Sequence, residues 1–147
     1  MVANSYYGFA KNELKYLQSK PVDNFYHPMC GQCQQICEKF LKHLIYLFCS
    51  DNKDAESALR SHSLIKLNSV LKDSGIDLEL DRKSLSIVKD YYFTARYPGD
   101  EFIELTRSDY IEAKLLTDEI YEKVTHYLQQ KGYCLECGFP KSDCLCR

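Results

Sequence analysis

The distribution of hydrophobic residues predicts a chain built from amphipathic helices. The longest pattern runs from Tyr26 to Cys49, where apolar residues recur at alternating steps of three and four and therefore share one helical face. This face carries small side chains in its first half and bulky ones in its second half. We expect the other helices to pack against it through Cys30, Cys33, Cys37, Phe40, Leu44 and Leu47.

Four more segments show helical periodicity, and the connection over 51–60 is expected to be a linker. No segment alternates with a period of two, so no sheet is predicted. Five helices with short connections predict an all-α, up-and-down bundle over residues 1–131, followed by a separate tail at 132–147. The four further helices are predicted at 5–19, from a Ser61 or Ser63 cap to Gly75, at 82–94 after an Asp81 cap, and from a Ser108 cap to about Gln130.

Charge and hydropathy narrow the function classes. The net charge of −2 and the pI near 6.1 argue against a protein that binds nucleic acid mainly by non-specific electrostatics. No apolar run approaches the roughly 20 residues that a membrane span needs. The first residues lack the basic and apolar segments of a secretory signal. We therefore expect a cytoplasmic protein.

The eight cysteines form two groups of different character. Those at Cys30, Cys33 and Cys37 follow helical spacing and are predicted to pack in the core. The other group has the spacing Cys-x-x-Cys, six residues, then Cys-x-Cys, with glycine and proline between, which is typical of a zinc knuckle. Four thiolates would leave no open position on zinc, so the site would be structural, and an iron–sulfur cluster is the alternative. The predicted ligands are Cys134, Cys137, Cys144 and Cys146.

Three motifs in the chain carry a resemblance to a known family. Residues 34–42 have the pattern Gln-Gln-x-x-Glu-Lys-x-x-Lys, and 61–67 have the pattern Ser/Thr-His-x-Leu-x-x-Leu. Residues 91–100 contain a Tyr-x-x-x-Arg-Tyr-Pro element. Together the motifs resemble those of the HEPN domain family, in the family's order and over about residues 5–130. The resemblance implies a helical bundle that commonly forms homodimers.

Members of that family include ribonuclease toxins and binding modules that accompany minimal nucleotidyltransferases. The ribonucleases carry an Arg followed four to six residues later by His, and no Arg in this chain has that spacing. The resemblance therefore favours a non-enzymatic binding module for nucleotide or RNA, with a nucleotidyltransferase partner on another chain. The alternatives are a divergent ribonuclease toxin and a zinc-dependent adaptor with no ligand of its own.

The expected ligand site contains Arg96, Tyr97, Lys39, Gln35 and Glu38. Arginine suits phosphate because its planar group offers a fork of donors. The opposing interpretation pairs Arg96 internally, with Glu38 as one candidate, and treats the polar residues of 34–42 as the solvated flank of a helix.

In the ribonuclease alternative, Arg96 would stabilise phosphate, and His43 or His62 would act as acid or base. The opposing interpretation places His43 on the polar flank of the long helix and has His62 capping or packing at a helix start. Tyr91, Tyr92 and Phe93 near Tyr97 either stack on bases or fill a bundle end or dimer interface.

Overall fold

The computed structural model describes residues 1–100 and 102–146 and confirms the all-α bundle. Within these residues there is no strand, and no helix is long and apolar enough to cross a membrane. The cysteine-rich tail follows the last helix and contains one short 3-10 turn, Lys141–Asp143. The six helices are α1 (Tyr6–Gln18), α2 (Tyr26–Phe48), α3 (Ala55–Leu59), α4 (Leu64–Asp73), α5 (Arg82–Thr94) and α6 (Arg107–Gln130).

Helix α2 is the centre of the bundle and contacts all five other helices. Its three cysteines Cys30, Cys33 and Cys37 are completely buried, which confirms the predicted packing role. The Sγ of Cys37 lies 3.4 Å from the Oγ1 of Thr117 on α6. Small side chains at these positions let α6 lie close along α2, since interhelical distance depends on the residues at the contact.

Two of the predicted helix caps are confirmed and one is wrong. Ser63 and Asp81 cap α4 and α5 through side-chain oxygens that accept backbone N–H groups, as predicted. The predicted Ser108 cap of the last helix is wrong. Thr106 occupies that position, and its side chain and that of Asp109 accept from each other's backbone in a capping box.

The predicted linker at 51–60 is also wrong in part, because it contains α3. Five residues span less than two turns of helix, which is too short for a hydrophobic period to show in the sequence. Ala55 and Ala58 of this helix are buried.

Candidate functional site

A buried carboxylate, Glu38, organises a cluster of polar side chains between α2 and the start of α4. Its Oε1 accepts hydrogen bonds from Gln34 Nε2 (3.1 Å) and His62 Nδ1 (2.9 Å), and its Oε2 accepts from Lys42 Nζ (3.0 Å). We call Gln34, Glu38, Lys42 and His62 the glutamate cluster. The interpretation of 34–42 as a solvated flank is wrong for three residues of this cluster. Gln34 is 0% exposed, and Glu38 and Lys42 are each 6% exposed. The charges of Glu38 and Lys42 are buried as a hydrogen-bonded pair.

The cluster fixes the orientation of His62, which lies just before α4. A carboxylate only accepts hydrogen bonds, so the Nδ1 of His62 carries the hydrogen and the Nε2 of the neutral ring keeps its lone pair. Gln34 Nε2 also donates to the backbone carbonyl of His62 at 3.0 Å, which holds the main chain of the same residue. The side chain of His62 remains 43% exposed. The histidine is thus oriented from inside the bundle and open to solvent.

Aromatic and cationic groups continue from His62 along α5. The ring of Tyr92 stacks on His62 with centroids 3.8 Å apart and planes 11° apart. The guanidinium of Arg96 lies over Tyr92, 4.8 Å from its centroid. Among the described residues Arg96 forms no ion pair, and the suggested pairing with Glu38 is wrong. Arg96 therefore presents an exposed cation held by a cation–π contact.

Two more rings extend this surface outward. Phe93 and Tyr97 are 64% and 57% exposed, with ring centroids 6.4 Å apart, and Phe93 meets Tyr92 edge-on at 4.9 Å. We call Tyr92, Phe93, Arg96 and Tyr97 the α5 surface. Of the aromatic cluster predicted from sequence, only Tyr91 faces the core, where it is buried.

A glycine on α2 brings the α5 surface close to the glutamate cluster. A Cβ at Gly31 would lie 3.3 Å from the Cβ of Ala95 and 3.8 Å from the Cγ of Arg96. The end of α5 therefore lies directly on the α2 backbone, one turn before Gln34.

The remaining predicted ligand residues lie in different surroundings. Gln35 is half-buried beside the glutamate cluster, and its Nε2 is 3.4 Å from the Oε1 of Gln34. Lys39 faces α1, where its Nζ pairs with Glu13 at 2.5 Å. Its role as a ligand residue of the same site as Arg96 stays a prediction.

The structure brings the four tail cysteines together. The Sγ atoms of Cys134, Cys137, Cys144 and Cys146 all lie within 4.8 Å of one another. Thiolates around a tetrahedral metal at about 2.3 Å are separated by about 3.8 Å, so a small closure would complete the site. The cluster can therefore hold a metal ion. Below, residues 133–146 are called the knuckle.

Backbone groups of the knuckle favour a thiolate at Cys134. The pKa of this thiol is lowered to about 6 by backbone N–H groups of Cys137 and Glu136, the latter 3.4 Å from the sulfur. A matching N–H contact reaches the Sγ of Cys144 from Cys146 at 3.3 Å. A metal binds the thiolate rather than the thiol, so the lowered pKa favours Cys134 as a ligand.

The role of His43 was not evident from the sequence, where it falls on the polar flank of the long helix. His43 is 0% exposed. Its Nδ1 accepts from the N–H of Tyr7 at 3.2 Å, so its Nε2 carries the hydrogen and donates to the carbonyl of Gly138 at 2.8 Å. Burial lowers the pKa of His43 below its ordinary value, which keeps the ring neutral near pH 7. Both partners are backbone groups, which leave no signature in the sequence.

Comparison with known proteins adds one finding. The model of the HEPN domain matches residues 5–127, which is most of the chain and contains both the glutamate cluster and the α5 surface. No curated protein and no solved structure matches the chain. The match ends before the knuckle.

Proposed function

The chain belongs to the HEPN domain family, and from this premise we propose that it is a binding module that works with a nucleotide- or nucleic-acid-handling partner. A minimal nucleotidyltransferase on another chain is the candidate partner, and a homodimer in the cytoplasm is the proposed state. The proposal rests on one observation, the stack of His62, Tyr92 and Arg96 that continues into the exposed rings of Phe93 and Tyr97.

The chemistry of the α5 surface suits single-stranded RNA or a nucleotide. Exposed aromatic faces stack on bases, each contributing about 1–3 kcal/mol. The guanidinium of Arg96 offers several donors to a phosphate oxygen pair. Cationic and aromatic groups thus alternate over a short distance, as a sugar-phosphate chain with stacked bases requires.

Binding of a short fluorescein-labelled RNA, and separately of a fluorescent ATP analogue, tests the α5 surface by anisotropy. We expect Arg96→Ala to weaken binding by about tenfold, about 1.4 kcal/mol, because the phosphate loses its charged donor. The melting temperature should change little, since Arg96 is exposed and loses only a surface cation–π contact. The matched control is Arg82→Ala, an exposed arginine at the other end of α5. Equal affinity of wild type and Arg96→Ala, or equal losses in the two variants, would contradict the assignment.

One observation favours the second candidate function, cleavage of RNA. The Glu38–His62 contact of 2.9 Å engages Nδ1 and leaves Nε2 free on a partly exposed ring, and both His62 and the guanidinium of Arg96 contact the ring of Tyr92. Such a histidine can take the proton of a ribose 2′-hydroxyl as it attacks the adjacent phosphate, and can return it to the leaving 5′-oxygen. His43 is unsuited to this role, because it is buried and both its ring nitrogens are engaged.

The same RNA incubated with the protein tests cleavage. If the second function holds, His62→Gln lowers the rate by about 10²–10⁴-fold, because the acid–base group is lost. His126→Gln, on the exposed face of α6, is the control and should cleave at the wild-type rate. Cleavage that survives His62→Gln would exclude this role. Binding of the RNA without any cleavage would contradict the second function and support the binding module.

Zinc is the proposed metal of the knuckle. Four thiolates at close range are a soft, tetrahedral ligand set that suits zinc, and the site would be structural because no position remains for water. If the knuckle instead recruits a partner as an adaptor, deletion of 132–147 should abolish that association and leave the bundle folded.

A further inference from the structure

The knuckle is attached to the bundle by three of its own backbone carbonyls. Lys11 Nζ donates to the carbonyl of Leu135 at 2.5 Å, and Ser5 Oγ donates to that of Cys137 at 2.6 Å. His43 Nε2 donates to that of Gly138 at 2.8 Å. The acceptors lie within four consecutive residues, 135–138, in the loop that carries the first two cysteines. The three donors on the bundle therefore recognise one conformation of this loop.

Two of these donors also hold the first turn of α1. Ser5 Oγ accepts from the N–H of Gly8 at 2.9 Å, and His43 Nδ1 accepts from the N–H of Tyr7 at 3.2 Å. A helix leaves its first N–H groups without partners inside the helix. Here the N–H groups of Tyr7 and Gly8 are satisfied by His43 and Ser5, the same side chains that hold the knuckle. These two side chains therefore connect the start of α1 to the knuckle.

The contact is closely packed as well as hydrogen-bonded. Phe139 stacks on His43 with centroids 5.7 Å apart, and Tyr133 stacks on Phe48 at 5.4 Å. Gly138 has a φ of +75°, and a Cβ at this position would collide with the His43 ring. The loop fits only in a conformation that glycine allows. A displaced loop would therefore lose its apolar contacts and hydrogen bonds together.

We infer that metal occupancy of the knuckle controls the order of the α1 start, so that the knuckle acts as a metal-dependent clamp. This inference rests on the proposed metal at the four cysteines. A segment of 14 residues buries too little to fold alone and depends on its metal. Without the metal the three carbonyls lose their positions, and Ser5 and His43 lose the partners that fix them. The N–H groups of Tyr7 and Gly8 then open to solvent.

The clamp also forms one wall of a pocket. A pocket of about 340 Å³ lies between the start of α1, α2 and the knuckle. Phe139 of the knuckle closes one side of it, and Ser5 and His43 contribute to the same junction. Release of the knuckle removes this wall, so the pocket exists only in the loaded state. Its other lining residues include Asn4, Tyr6, Phe9, Lys39 and Tyr46.

Amide hydrogen exchange measured by NMR tests the clamp on the full chain, with metal content read from native mass under reducing conditions. On removal of zinc by a chelator, exchange at Tyr7 and Gly8 should accelerate by at least about tenfold, as for local opening of a helix end. Ile120, in the core of α6, should keep its protection. Ser5→Ala should show fast exchange at Gly8 even with zinc bound.

Ser63→Ala is the matched control, because Ser63 caps α4 through the N–H of Lys66 in the same way but does not touch the knuckle. In this variant, zinc removal should still accelerate exchange at Tyr7 and Gly8. The amide of Lys66 should exchange at the same rate with and without zinc. Bound zinc with no change at Tyr7 and Gly8 on its removal would overturn the clamp alone. A native mass without metal would overturn the zinc proposal and the clamp together.

Discussion

Glu38→Ala is expected to lower the free energy of unfolding by about 3–5 kcal/mol, the cost of removing one partner from a buried ion pair. The substitution leaves the ammonium of Lys42, which is 6% exposed, without the carboxylate that it contacts at 3.0 Å. Gln34 and His62 each lose the acceptor on Glu38 Oε1 as well. Urea unfolding followed by circular dichroism measures the change.

The double variant Glu38→Met with Lys42→Met separates the lost charge partner from lost packing. Replacing both charges by apolar groups removes the uncompensated ion, so this variant should be more stable than Glu38→Ala. The exposed pair of Glu56 and Arg60 is the matched control, with the same four-residue spacing. Glu56→Ala should cost below about 1 kcal/mol. Similar losses for Glu38→Ala and Glu56→Ala would show that the buried carboxylate contributes no more than a surface one.

The bundle itself could be predicted because its helices bury stripes with a regular period. Cys30, Cys33 and Cys37 fall on such a stripe, and the period places them in the core before any partner is known. The polar residues of α2 could not be placed in the same way. Glu38 is buried because His62 lies over it from a segment 24 residues away, and no local pattern encodes that contact.

The candidate sites also differ in whether local sequence spacing or long-range contacts define them. The clustering of the four tail cysteines was predictable because metal ligands must be particular residue types at short spacings, as at Cys134 and Cys137. His43 was not, because its hydrogen-bond partners are the main-chain N–H of Tyr7 and the carbonyl of Gly138, and the sequence does not show which backbone groups a side chain will meet. Arg96 and Tyr92, one helical turn apart, were both named from the same motif, whereas the stacking of His62 on Tyr92 becomes evident only in three dimensions.

If the knuckle holds the proposed zinc, removal of this ion is expected to divide the eight cysteines into two groups of four by their rate of alkylation. With zinc bound, no thiol should react rapidly with iodoacetamide. After chelation under reducing conditions, the four knuckle thiols should be alkylated rapidly, since the segment loses the metal that orders it. The other four, Cys30, Cys33, Cys37 and Cys49, should stay unmodified while the bundle is folded. Intact mass spectrometry counts the modified thiols, and peptide mapping locates them.

The slow alkylation expected of the four cysteines in the bundle has two physical causes, burial and a raised pKa, which the same measurement tests. Cys30 and Cys33 are completely buried, and burial raises the pKa of each to about 12, so the reactive thiolate is scarce at pH 8. Cys144→Ser should lower zinc affinity strongly and leave three fast thiols. Cys49→Ser, the matched control, should keep one zinc per chain and four fast thiols after chelation. Two disulfides in the untreated knuckle, or rapid alkylation of all eight cysteines in the folded protein, would contradict a structural metal centre on a closed helical core.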